Sequence, residues 1–353
     1  MSDTRSMTAG ERPSQDWRSR VERRDTAEPS PEDFARAREP GRGRQAEEPR
    51  DIPPLGWRDI FWRVLYAIPE DRILATGGSV AFFTLLAVFP AVAVVVSLYG
   101  LFADARTIGD HLVLLAGILP AGVLDLIREQ IIAITTKQTP ALSFAFGVSL
   151  VVALWSANSG MGALFDALNV VYGERERRSL LRFYGTTFLF TLGAVFFAIA
   201  AVGAVVVLPV VLKFIGYQGS AELILSVARW PVLLLVVMLG LAAIYRFGPS
   251  RRAPRWQWVS VGSIAAALLW IGGSMIFSWY VASFDSYNKT YGSLGAAVGF
   301  MVWIWLSVVI VLVGGEINAE MEHQTARDTT AGPEKPLGAR GATMADHVGP
   351  AQG

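Results

Sequence analysis

Apolar residues along this chain gather into long uninterrupted blocks, with charges confined between them. Six blocks stand out: Gly77–Phe102, Leu142–Val171, Gly185–Leu212, Trp230–Tyr245, Val259–Val281 and Leu294–Glu316. A helix needs about 20 mainly apolar residues to cross some 30 Å of hydrocarbon, and a helix satisfies its own backbone hydrogen bonds there. The pattern therefore predicts an all-α, polytopic membrane protein with about six transmembrane helices. Pro90 is expected to kink the first block, and the fourth is short.

Two other segments show helical periodicity without the length to span. In Trp57–Ile68 the residues Trp57, Ile60, Phe61, Val64, Leu65 and Ile68 form an apolar stripe, with Arg58, Asp59 and Arg63 elsewhere on the wheel and Pro69 expected to end the helix. It reads either as a helix lying in the membrane interface or as an amphipathic helix packed on protein. Between Asp104 and Pro140, Leu124, Ile127, Ile131 and Ile134 repeat opposite Asp125, Arg128 and Glu129, and Pro120–Gly122 interrupts them. Two short amphipathic helices in an outer hairpin are expected. The ends differ in kind: residues 1–55 interleave Arg with Glu and Asp, and residues 323–353 are Gly, Pro, Ala and polar residues. Both read as disordered tails around a transmembrane domain at 56–322.

Composition sharpens the membrane assignment. Of 353 residues 52% are hydrophobic and only 17% charged, with a mean hydropathy of +0.41, against a charged share of about a quarter in soluble domains. The net charge of +1 gives no argument for nucleic acid. The chain has no cysteine, and its three histidines, His111, His323 and His347, are far apart. Orientation follows from the loops. With a cytoplasmic N-terminus, Glu174–Arg182 and Gly248–Trp256 face inward with seven arginines between them, while the two short outer loops carry only Lys213 and Lys289. The positive-inside rule expects that asymmetry, and six spans return the C-terminus to the cytoplasm.

Polar residues inside apolar blocks are the candidates for function. On Leu154–Gly173, Ser156, Ser159, Gly162, Ala163, Asp166 and Asn169 share one side of a helix, with Asn158 nearby; Leu154, Met161, Leu164, Phe165 and Leu168 share the other. The first side is expected to contact neighbouring helices, the second lipid. Ser156, Asn158, Ser159, Asp166, Asn169 and Glu316 form a candidate polar path, with interhelical packing as the plainer role for Asp166 and Asn169. Glu316 follows Gly314–Gly315 and shares a stripe with Gly295, Gly299, Val302, Leu306, Val309, Val313 and Glu320. An acid at membrane depth costs at least ~2.5 kcal/mol unless paired or hydrated. Glu316 is therefore a relay or gate, or the acid of a salt bridge with Arg182, Arg246 or Arg251. Asp285, Asn288, Lys289 and Tyr291 make an outer cluster, whose plainer role is a turn with interfacial aromatics. No histidine pair has metal-ligand spacing, and no phosphate loop or nucleophile elbow is present, so no catalytic residue, metal or cofactor is expected.

AFFTLLAVFP (Ala81–Pro90), LWSANSGMGALFDALNVVYGERE (Leu154–Glu176), YRFGPSRR (Tyr245–Arg252) and SYNKTYGSLGAAVGFMVWIWLSVVIVLVGGEINAE (Ser286–Glu320) resemble the YihY/BrkB family of bacterial inner-membrane proteins. The resemblance covers roughly Trp57–Glu322. It implies six transmembrane helices, a cytoplasmic N-terminus, and a name historically attached to ribonuclease BN; other members are linked to serum resistance or to lipid and envelope transport. The expected role is a transporter-like protein handling a lipid or envelope component, with membrane lipids as partners. The alternatives are a non-transporting scaffold that organises envelope machinery through its tails and amphipathic hairpin, as a homo-oligomer or with envelope partner proteins, and an ion-coupled exchanger. Ribonuclease activity is not expected.

Overall fold

A computed structural model describes residues 28–102, 141–202, 220–283 and 293–352. The first 27 residues, the hairpin expected between Asp104 and Pro140, His111, and the cluster of Asp285, Asn288, Lys289 and Tyr291 lie outside the described residues. The regular structure of the described residues is helical, with one isolated bridge pairing Pro254 and Thr330. Short helix α1 (Pro31–Arg36) leads to α2 (Pro54–Glu70), followed by the long helices α3 (Ile73–Phe102), α4 (Ala141–Val171), α5 (Leu180–Val202), α6 (Ser220–Phe247), α7 (Trp256–Ser283) and α8 (Ser293–Glu322); a turn-length α9 (Thr343–Asp346) lies in the C-terminal segment.

Each long helix contains one of the six apolar blocks or most of it, and α3 runs through Pro90 without a break. Four segments among the described residues are long and apolar enough to cross a membrane: Leu180–Ala201, Val227–Phe247, Trp256–Tyr280 and Val298–Glu322. Their outward faces are greasy, with Leu181 87%, Leu189 67%, Phe196 75% and Trp279 70% exposed. In water such a surface would be prohibitive; against lipid tails it costs nothing.

Helix α8 is the hub, packing on α7, α3, α2 and α4, while α3 and α4 form the most extensive pair. Small residues permit the closest approaches. A Cβ on Gly262 of α7 would fall 2.1 Å from the Gly314 carbonyl oxygen of α8, and one on Gly160 of α4 would meet Thr84 of α3 at 3.3 Å. The core gathers at the end of the bundle that carries both chain segments leading to the termini, where Leu168, Tyr172, Tyr245, Val259, Leu312 and Ala319 meet Met344 of the C-terminal segment.

That end differs from the expectation of solvated tails. Residues 28–53 and 323–352 form an interlocked cap. Ser30 and Asp33 make a capping box for α1, and Asp33 also accepts from the Val348 backbone at 3.0 Å. Arg44, 2% exposed, pairs with Glu39 and donates to the Gln324 carbonyl. Buried Arg340 donates to the carbonyls of Ala326, Arg327 and Ala345. Low aliphatic content means a segment cannot build a core from its own residues. These segments borrow one instead, because the bundle end offers apolar surface: Ala46 and Ile52 pack with Ile60, Val64, Trp258 and Met321, and Met344 joins the main core.

Helix α2 also departs from its expected face. Ile60 and Val64 of the predicted stripe are buried, but so are Asp59 and Arg63, while Phe61 and Leu65 point outward. Pro69 does not end the helix. The turn closes two residues later, where the Asp71 N–H reaches the Ala67 carbonyl at 2.8 Å and Arg72 adopts φ 51°.

Candidate functional site

The last two turns of α8 carry three acids and an amide, all buried: Glu316, Asn318, Glu320 and Glu322. Their positions around the helix send them to different neighbours. Glu320 receives Arg63 of α2, whose Nε lies 2.5 Å from the carboxylate and whose Nη2 donates to the Glu320 carbonyl at 2.9 Å; His323 Nδ1 is 3.3 Å from the same carboxylate. Glu322 takes a two-pronged contact from Arg251 at 2.8 and 2.9 Å and a hydroxyl from Thr329 at 2.9 Å. The Arg251 guanidinium lies 4.1 Å from the centre of the Tyr172 ring. Burial works against the charge of Arg251, yet Glu322 outweighs it and holds the guanidinium above its ordinary pKa. Asn318 stitches α8 to α7, accepting from Gly262 N at 2.8 Å and donating to the Val259 carbonyl.

Of the three arginines proposed to pair with Glu316, the structure gives Arg251 to Glu322 instead. Arg246 donates to the Pro254 carbonyl and lies over the rings of Trp256 and Phe247, and Arg182 is exposed at the start of α5. Glu316 itself is 0% exposed, inside the bundle.

The α4 residues divide. Asn169 is buried and ties three pieces of chain together: its Oδ1 accepts from Ser250 N at 2.7 Å, and its Nδ2 donates to Glu176 at 3.2 Å. Burial acts against the charge of Glu176, but Arg178 and the Asn169 amide hold its carboxyl down at about 2. Asp166 is exposed, five residues before α4 ends. Ser156, Asn158 and Ser159 are half-buried; the Ser159 hydroxyl donates to Trp155 of its own helix, and Asn158 Oδ1 is enclosed without a hydrogen-bond donor among the described residues. The expected lipid-facing side is reversed at this end, since Phe165 and Leu168 are fully buried. The reason is that Gly248 packs on both, while Phe190 of α5 and the Arg178 guanidinium lie against the Phe165 ring. Ser156, Asn158, Ser159, Asp166 and Asn169 thus lie along α4, and Glu316 lies on the neighbouring α8.

Replacing Asn169 with alanine leaves the buried Ser250 N–H without its acceptor, a loss of about 1–3 kcal/mol. The expected result is a lower melting temperature for detergent-extracted protein with the same oligomeric state by size-exclusion chromatography.

Periodicity did not single out Arg63, Asn318 or Glu322. Their one visible signal was a polar side chain next to an apolar block, which many surface residues share. Among the described residues, no three His, Cys, Asp or Glu side chains converge into a metal-binding group.

Comparison with known proteins places the chain. The Virulence factor BrkB family profile matches residues 64–338. The ribonuclease-like protein YfkH of Bacillus subtilis is 33% identical over 270 residues, 74% of this chain and 93% of that protein. A UPF0761 membrane protein of Cronobacter sakazakii is 28% identical over 279 residues, covering 77% and 90% of the two chains. One from Vibrio cholerae is 27% identical over 273 residues, covering 74% and 88%. No solved structure matches.

Proposed function

This chain belongs to the Virulence factor BrkB family, and from that premise we propose that it is a transporter-like protein of the bacterial inner membrane, handling a lipid or another envelope component. In this reading α3 to α8 are six spans, and the cap is cytoplasmic. The arginine-rich turns 174–182 and 248–256 adjoin the cap, which supports that orientation.

The observation that carries the proposal is Asp166. It is exposed on a long apolar helix, about 8 Å in from the helix end at 1.5 Å per residue. A carboxylate at that depth needs water or a polar partner, and a lipid headgroup supplies one. Helical periodicity puts Gly162, Ser159 and the exposed Trp155 on the same stripe, with the enclosed Asn158 oxygen beside it. Asp166, Ser159 and Trp155 offer a headgroup polar contacts on either side of Gly162, which packs on Phe183, while the lipid's acyl chains stay in the bilayer. The reading is non-enzymatic, and His323 and His347 are engaged in it structurally, with Glu320 and Asp33. The ribonuclease-like name belongs to the Bacillus relative.

The test is lipid scrambling by purified protein in liposomes, followed by dithionite bleaching of headgroup-labelled phospholipid. Wild type should expose label from both leaflets, and Asp166→Ala should slow this at least several-fold with unchanged folded yield, because the side chain is exposed. Wild-type bleaching no greater than in empty liposomes would discard transport. It would leave the scaffold reading, which the ion-paired α8 end and interlocked cap favour.

A further inference from the structure

Helix α2 is built inside out. At about 100° per residue, its buried residues Gly56, Asp59, Ile60, Arg63, Val64 and Ala67 occupy one continuous arc. Both charges of that arc are neutralised within the protein, Asp59 by Arg42 at 2.7 Å and Arg63 by Glu320 at 2.5 Å. The opposite arc carries Leu55, Phe61, Trp62, Leu65 and Tyr66, between 41% and 57% exposed, with Trp62 stacked on Tyr66. Arg58 is the charged residue of that arc, and no acid lies within it. A helix on a water-facing surface shows the reverse, with apolar residues inward and charges outward.

We infer that the outer face of α2 is seated in the lipid interface, at the boundary between headgroups and acyl chains on the side of the membrane that carries the cap. Three observations choose lipid over a second protein copy. The face is aromatic, and Trp and Tyr collect where an apolar ring needs a wet polar edge. Arg58 can lay its aliphatic stem along that face, with its guanidinium, which also lies 3.5 Å from the Gln352 carbonyl of the cap, at headgroup level. The exposed apolar surface also continues beyond the Asp71–Arg72 elbow onto α3, at Leu74, Phe82, Phe83 and Leu86. The bilayer that covers α3 therefore meets α2 without a break. Helix α2 is then an in-plane anchor, held from within by its ion pairs to Arg42 and to α8 and from without by lipid. The inference rests on the proposed six-span layout, in which α3 crosses the bilayer, and not on transport.

The absence of cysteine makes the test direct. Trp62→Cys and Leu65→Cys are each spin-labelled in the full chain and reconstituted in phosphatidylethanolamine and phosphatidylglycerol vesicles. Leu189→Cys on the greasy face of α5 and Glu47→Cys on the cap serve as references. Power saturation should show the α2 labels several-fold more accessible to oxygen than to a water-soluble nickel chelate, as at Leu189. Nickel-dominated accessibility like that at Glu47 would place the face in water and overturn the inference. Low accessibility to both reagents would place it against another protein and overturn it equally. A label at either α2 position suffices, so failure of one variant to fold leaves the other decisive.

Discussion

Alanine at Arg251 is expected to cost about 3–5 kcal/mol of stability, because it strands a buried carboxylate. The Arg251 and Glu322 side chains are both 0% exposed, and the pair is two-pronged. Removing the cation leaves Glu322, among the described residues, with the Thr329 hydroxyl as its hydrogen-bond donor, and the Tyr172 ring loses the guanidinium beside it. Lysine should recover only part of the loss, since it cannot present two parallel N–H groups. Replacing both partners with methionine should be far milder than either single change, because two desolvated charges vanish together. Unfolding in detergent, scored as a double-mutant cycle, checks this. Near-additive losses would mean that the pair contributes little as a pair.

The second large effect is steric. Gly262→Ala puts a methyl group 2.1 Å from the Gly314 carbonyl oxygen and 2.5 Å from the Asn318 amide. Both are held: Gly314 lies in the middle of α8's packed side, and Asn318 is bonded to Gly262 N and the Val259 carbonyl. Helices α7 and α8 must therefore separate, and the two amide bonds go with them. Overpacking of this kind costs about 1–3 kcal/mol and each lost buried hydrogen bond about 1 kcal/mol more, so a total near 4 kcal/mol is expected. Gly272→Ala is the control on the same helix. Nothing lies within 4 Å of its added methyl group, and the change should be neutral or stabilising by about 0.5–1 kcal/mol. Thermal scans of the two variants in one detergent should therefore move in opposite directions or differ by many degrees. Equal shifts would show that the α7–α8 contact is looser than its backbone approach implies.

The six apolar blocks were legible because lipid imposes one demand on every residue of a span, and length with hydropathy measures it directly. Five of the helices include their blocks whole, α5 is described through Val202 of the third, and several extend past block ends: α8 continues to Glu322, and α6 begins at Ser220. Those extra turns carry charges, Glu222 and Arg229 on α6 and Glu320 and Glu322 on α8, which interrupt the apolar run that hydropathy follows. The candidate residues fared according to how local their partners are. Ser159 bonds within its own helix, whereas Asn169, Glu320 and Glu322 reach residues roughly 80, 260 and 70 positions away. No window along the chain contains both members of such a pair. Glu316 and Glu320, one turn apart on one wheel stripe, also show the weakness of stripes near a helix end. Glu320 is met by α2, a helix whose position no periodicity could supply.

By itself the sequence determined that this is an all-helical membrane protein, where its apolar helices lie, and which family it resembles. All three depend on residue type and spacing within one stretch of chain. Tertiary structure alone decided that segments rich in charge and poor in aliphatics become a folded cap, that α2 turns its charges inward, and that Arg251 belongs to Glu322. Each of these depends on a surface supplied by a distant part of the chain. Burial of a charge becomes favourable only when its counter-charge is already fixed in place.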